Sequence, residues 1–273
     1  MKAVYSRWTK PSWNPLKNSL NWHSPKASLL SRVMSIMKTS EYIKDIDVIT
    51  DEQWAKILDK LWLPVNITTE LESIDSNYNW FRALWKIYAY QKQKEQFIHI
   101  DRDSRFNKWI PEKFLNAEIF AQNPESNDWF ISAYKWEIDH LESNKFNLPK
   151  SRWYANYAPC MWVFWWKDIK TIHKYCDESL ELIYNNDWSK IDNPWSYCII
   201  FEQYMLWCVV ERLNKKITYL TEPTIDKEYM ENIWYTHIRW DKKNITLEYA
   251  LDKKVKDLFP LQHSKCQTLL RYI

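Results

Sequence analysis

Phe97-Ile98-His99-Ile100-Asp101-Arg102-Asp103 joins four residues suited to a buried strand to two carboxylates one residue apart. A short apolar run bounded by polar residues reads as a strand covered on both faces, as in parallel α/β sheets. Ligands of such sheets bind outside the carboxyl ends of the strands. Asp101 and Asp103 therefore stand where a ligand belongs, and paired oxygen donors there can hold a hard divalent cation. Two solvated loop acids would read the same. The apolar strand before them, which fixes where they end up, favours the ligand reading.

Strands and helices alternate on either side of this stretch. Further strands are expected at 3–7, 46–49, 117–121, 161–165 and 217–220, with the first at 96–100. Helices are expected at 26–38, 51–61, 78–91, 128–143, 168–184 and 199–214, with a helical region from Leu247. The alternation predicts an α/β fold: one domain over 1–245 with a mostly parallel mixed sheet flanked by helices, and a C-terminal helical extension at 246–273.

The chain has 273 residues, 46% hydrophobic and 27% charged, enough for one large core. A formal charge of +3 gives no case for a nucleic-acid partner. The five cysteines form no C-x-x-C pair and are odd in number, so neither a zinc site nor a secreted disulfide framework is signalled. MKAVYSRWTKP lacks the apolar run of a signal peptide and no segment reads as a membrane span, so a cytoplasmic protein without a transmembrane segment is expected.

Glycine is absent and tryptophan occurs 19 times. At the usual glycine frequency a chain this long has about 19, and none at all arises with a chance on the order of one in a billion. Tryptophan also sits where glycine belongs. The helix of TDEQWAKILDKLWLP opens on Thr50 or Asp51 and keeps an apolar face through Ile57, Leu58 and Leu61. It stops at Trp62, the place of a left-handed glycine cap before an apolar residue and a proline. Trp188 in NNDWSK and Trp195 in NPWS likewise occupy turn positions. The expectation is that most tryptophan positions are ancestrally or actually glycine. The UGA codon is read as Trp in some genetic codes and Gly in others, and the richness in Lys, Asn, Ile and Tyr fits an AT-rich gene.

Later the chain reads YTHIRWDKKN, with His237, Trp240 and Lys243. With glycine at 240 this is H-x-x-G-x-x-K: a further metal ligand, a backbone free to approach a phosphate, and a positive charge for a diphosphate. An apolar strand ending in Asp-x-Asp, a preceding WFRALWKIYAY helix and this late motif together resemble nucleotide-sugar glycosyltransferases of the A-type (GT-A) fold. The likeness is to the retaining group with a C-terminal His-Gly-Lys motif. Read with Gly for Trp, MKAVYSRWTKP, VITDEQWAKILDKLWLP, ALWKIYAY, FIHIDRD, FAQNPE, VFWWKD, FEQYML and YTHIRW are similar to an uncharacterised bacterial family of glycosyltransferase-like proteins.

The resemblance implies a hexosyltransferase-like enzyme that moves a sugar from a nucleoside diphosphate sugar to an acceptor hydroxyl of a glycan or small molecule. It implies Mn²⁺ or Mg²⁺ held by Asp101, Asp103 and His237, with position 240 and Lys243 on the donor diphosphate. Lys86, and less strongly Arg82, would assist from the preceding helix, and Tyr5 and Ser6 would lie near base and ribose. Glu202 and Gln203 would contact the transferred sugar. Trp165 and Trp166, as a glycine hinge, would line the acceptor side. Retention of anomeric configuration and a place in surface-polysaccharide synthesis rest on the resemblance alone. Two alternatives use the same residues differently. A haloacid-dehalogenase-like phosphatase would make Asp101 a nucleophile, although Ser104 and Arg105 follow at mid-chain. A carbohydrate-binding protein without catalysis would use literal tryptophans as stacking platforms.

Overall fold

The computed structural model describes residues 1–10, 12, 14–19, 21–79, 81–126, 134–143, 145–146, 157–161, 163–191, 193–221, 234–238 and 241–271. In chain order the elements are β1 (Lys2–Arg7), α1 (Pro25–Ser40), β2 (Asp45–Thr50), α2 (Glu52–Leu61), β3 (Asn66–Thr68), α3 (Leu84–Gln91), β4 (Phe97–Ile100), β5 (Ser104–Phe106), α4 (Glu112–Leu115) and β6 (Ile119–Ala121). There follow β7 (Pro124–Ser126), α5 (Trp136–Ser143), β8 (Tyr157–Pro159), β9 (Val163–Trp166), α6 (Ile169–Tyr184), α7 (Met205–Arg212), β10 (Ile217–Tyr219), β11 (Tyr235–His237), α8 (Ile245–Leu258) and α9 (Pro260–Leu270). The class is mixed α/β with a mostly parallel sheet flanked by helices, as expected. The chain divides into two compact units, one of residues 1–73, 100–110 and 226–273, the other of residues 74–99 and 111–225.

In the first unit β1, β2 and β3 run parallel, with Ser6 opposite Ile49 and Val48 opposite Ile67. A second, antiparallel pair joins β5 to β11. Local chemistry sets the helix starts. Ser24 caps α1 by accepting from Ala27 N at 3.1 Å, and Pro25 follows at the first helical position. Asp51 caps α2 by accepting from Trp54 N at 2.9 Å. Ile57, Leu58 and Leu61 bury one face of α2, which ends on Trp62 at φ 54°, ψ 49°, in the left-handed region. The helices α8 and α9 both pack on α1.

In the second unit the strand order is β10-β6-β9-β4. The β10–β6 pair is parallel and the β6–β9 pair antiparallel. A separate antiparallel hairpin joins β7 to β8, and α3 packs on α6. The core here is aromatic: Phe81, Trp188 and Phe201 meet edge to face at 4.9 to 5.2 Å between ring centres.

Two expectations are corrected. Helix 78–91 begins only at Leu84, because Asp75 accepts from Asn77 N at 2.9 Å and closes a tight turn over Ser76–Tyr78 instead. The hinge at 165 and 166 is strand: Trp165 pairs with Phe120 and Trp166 with Ile119, both side chains are buried, and the Trp165 and Phe120 rings stack at 6.3 Å. Bulky aromatics favour a pleated, paired backbone, so the turn moves to Lys167, whose carbonyl accepts from Ile169 N at 3.1 Å. Helix 128–143 is described only over α5, and Trp240 lies outside the described residues.

Candidate active site

The turn after β4 is closed by Ser104 N donating to Asp101 O at 2.8 Å. It is fastened to α1, where Ser31 Oγ donates to Arg102 O at 3.3 Å and Ser35 Oγ donates to Ser104 O. From there β5 runs antiparallel to β11 with His237 opposite Ser104, and Ile238 N donates to Asp103 O at 3.0 Å. This register brings two side chains far apart in sequence together. His237 Nε2 lies 3.7 Å from Asp103 Oδ1, and both residues are buried. On the other carboxylate oxygen, Asp103 Oδ2, sits the ammonium of Lys242, held on a short 3₁₀ turn whose Lys242 carbonyl accepts from His23 N at 2.6 Å.

Burial alone pushes the Asp103 carboxyl up, but Lys242, His237 and Arg102 outweigh it and hold the group well below the usual carboxylate range. Asp103 is therefore a fixed negative charge in a buried place, and its Oδ1 has no hydrogen-bond donor among the described residues. Asp101, half-buried at the start of the turn, does not join Asp103 and His237: among the described residues no three His, Cys, Asp or Glu side chains form a metal-holding group.

Of the expected phosphate cations, Lys243 is exposed, and its neighbour Lys242 is the one that reaches Asp103. Nothing in the sequence separates two adjacent lysines; their places around the 3₁₀ turn do. Tyr5 points into the core, its hydroxyl 3.0 Å from Ser35 Oγ and 2.8 Å from Thr39 Oγ1, because alternate residues of β1 face α1. Ser6, the next residue, is half-buried.

The remaining expected residues belong to the second unit. Lys86 Nζ meets Glu202 Oε1 at 2.8 Å in a mostly buried ion pair, while Arg82 is exposed. The Gln203 amide nitrogen faces Glu125 Oε2 at 3.0 Å and Pro159 O at 3.3 Å, and Tyr134 donates its hydroxyl to Glu125. Glu202 and Gln203 lie on a π-helical stretch, Ile200–Tyr204, that leads into α7. Such single-turn irregularities are frequent at functional sites.

Residues 1–267 match a family described as "Family of unknown function (DUF6734)". The chain belongs to this family. No curated protein sequence matches it. Among solved structures, mouse xyloside xylosyltransferase 1 in its apo form is similar with a TM-score of 0.43 and 10% identity, over 89% of this chain and 99% of that one. A putative glucose-1-phosphate thymidylyltransferase from Bacillus anthracis gives 0.43 and 14% over 97% and 99%. The inositol-1-phosphate CTP transferase from T. maritima gives 0.42 and 11% over 94% and 96%. No helix among the described residues is long and apolar enough to cross a membrane.

Proposed function

We propose that this protein is a nucleotide-sugar glycosyltransferase whose donor diphosphate binds at the turn after β4. The supporting observation is the buried Asp103 carboxylate, with one oxygen facing His237 Nε2 and the other on the Lys242 ammonium. A divalent cation of the Mg²⁺ or Mn²⁺ kind takes one or two protein ligands and completes its shell with water and substrate phosphate oxygens. The free Oδ1 of Asp103 and the facing imidazole nitrogen suit that donor set. Asp103 and His237 would hold the ion, with Asp101 on the same turn as a further carboxylate, and it would stabilise negative charge on the leaving diphosphate.

The residues of the chain do the rest. Lys242 keeps Asp103 ionised, and the exposed ammonium of Lys243 on the same turn meets the phosphate oxygens. In the transfer, the bond between the anomeric carbon and the diphosphate oxygen breaks and that oxygen keeps the electron pair. The acceptor oxygen bonds to the anomeric carbon and its proton passes to the departing diphosphate oxygen. Lysine charge fixed beside the leaving group lowers that barrier without reorganising water. Burial of Asp103 and His237 favours the acceptor hydroxyl over water. Transfer with retention to a surface-glycan acceptor follows from the sequence resemblance.

The test is Mn²⁺-dependent hydrolysis of a panel of nucleoside diphosphate sugars by the full chain. Asp103→Ala and His237→Ala should each lose about a hundredfold or more, the range seen when a charge-stabilising group is removed. Undiminished turnover in either variant, or turnover of none of the donors, rejects the reading.

The reading of tryptophan as glycine is a companion proposal. It is supported by Trp62 in the left-handed region and by the buried indole N–H groups of Trp22, Trp54, Trp165 and Trp166, which find no acceptor among the described residues. Buried Trp normally finds one. Mass spectrometry of peptides covering positions 62, 165 and 166 of the protein from its native host decides it: Gly is expected, and Trp at all three positions rejects it.

A further inference from the structure

Three arginines crowd the same end of the first unit. Arg7 is the last residue of β1, Arg32 lies mid-way along α1, and Arg102 is in the turn after β4. The Arg7 and Arg32 side chains are buried, at 6% and 4% exposure. Both guanidinium carbons lie over the Trp54 ring, 4.3 and 4.6 Å from its centre. Arg7 Nη2 reaches Pro15 O at a long 3.4 Å and its Nε has no acceptor; Arg32 Nε and Nη2 have none among the described residues.

The nearby carboxylates are engaged elsewhere. Asp51 accepts from Thr9 N, Thr9 Oγ1, Lys10 N and Trp54 N, and Asp103 is taken by Lys242 and faces His237. Burial, followed by repulsion among the arginines, pulls Arg7 and Arg32 well below the ordinary guanidinium value, with only partial relief from Asp51, Asp101 and Asp103. Buried charge short of acceptors is a costly arrangement for a fold to keep. A multivalent oxyanion removes the cost, because each guanidinium presents a planar fork that matches phosphate oxygens. The carboxyl end of β1 is also where a ligand of a parallel sheet is expected.

We propose that Arg7 and Arg32 form a binding site for a diphosphate group, with the Trp54 position as its floor. The arginine geometry carries the anion site; its assignment to the diphosphate of a sugar donor rests on the transferase reading above. With glycine at 54, the space of the indole becomes room for the anion.

Calorimetric titration of the full chain with inorganic pyrophosphate in EDTA isolates the arginines from any metal. Arg32→Gln should weaken binding about tenfold or more and Arg32→Lys by less, since a lysine restores charge but not the fork. Without ligand, Arg32→Gln should melt no lower than the parent, because it removes an unsatisfied buried charge, and the same pyrophosphate concentration should raise the melting temperature of the parent more than that of the variant. Absence of pyrophosphate binding in the parent, or equal affinity in Arg32→Gln and in a second variant, Arg7→Gln, overturns the site. Donor turnover on the same samples separates the two readings. Pyrophosphate binding without turnover of any sugar donor keeps the arginine site and removes the transferase. Turnover with pyrophosphate affinity unchanged in both variants does the reverse.

Discussion

Trp62 shows the sharpest conflict between a side chain and its backbone. A residue with a Cβ in the left-handed conformation costs about 1–2 kcal/mol, which glycine does not incur. The indole recovers part of this through the Lys265 ammonium, 3.6 Å from its ring centre, but is itself 63% exposed. Trp62→Gly should therefore raise stability by up to about 1 kcal/mol, read as a higher denaturant midpoint at unchanged slope. A lower midpoint would show that the indole contact outweighs the strain. This position was legible from the sequence because an apolar helix face stops at Leu61 and Leu63-Pro64 follows. Asp103 and His237 were legible too, one by its place after an apolar strand and the other by spacing from a lysine. Arg7 and Arg32 were not: no spacing links residue 7 to residue 32, and only the return of α1 antiparallel to β1, which also sets Tyr5 against Ser35 and Thr39, brings the two guanidiniums to one indole ring.

Among the elements, the strands with long apolar runs were read to within a residue or two, whereas β3, β7, β8, β5 and β11, each of three residues, were missed. Periodicity needs more than three residues to declare itself. The last two of these pair to build the candidate site, so the site lay in segments with the weakest local signal. The C-terminal helices, expected as one helical region, are two, broken at Phe259-Pro260, where proline begins α9. Asp252 on α8 ties them down, 2.9 Å from Lys26 Nζ on α1 and 2.8 Å from His263 Nε2 on α9. Burial raises the Asp252 pKa, but Lys26 and His263 together lower it below the ordinary value. A carboxylate depressed in the folded state contributes its stability above the unfolded pKa and loses it as pH falls through the folded one. Asp252→Asn should cost up to about 1 kcal/mol at neutral pH, the range of partly exposed ion pairs, and the difference from the parent should shrink as pH falls below about 4. Thermal melts across that range check this; a difference that persists in acid would assign the effect to packing.

In the whole molecule the class was legible because alternation of strand and helix is a property of composition over tens of residues. The division into two interleaved units was not, since the segments at 100–110 and 226–273 join the first unit only through tertiary contacts. The five cysteines are thiols: Cys160, Cys176, Cys208 and Cys266 are buried and Cys198 is half-buried. Burial pushes Cys198 up to about 11 and Cys208 and Cys266 up to about 12, so thiolate is scarce at neutral pH. Native protein should react with a disulfide reagent only over hours and release all five thiols at once on unfolding; a thiol that reacts within seconds would reveal an opening the fold does not show. The pairing of β5 with β11 also bears on synthesis. Asn107 Nδ2 donates to Thr236 Oγ1 at 2.7 Å across 129 residues of chain, so closing that loop comes late. On the ribosome, β5 emerges long before its partner and waits as an unpaired edge, a template for stray strands. The growing chain thus acquires its buried Asp103–His237 pair only after residue 237 has emerged, and shorter chains are marked by an exposed edge rather than by a half-built site.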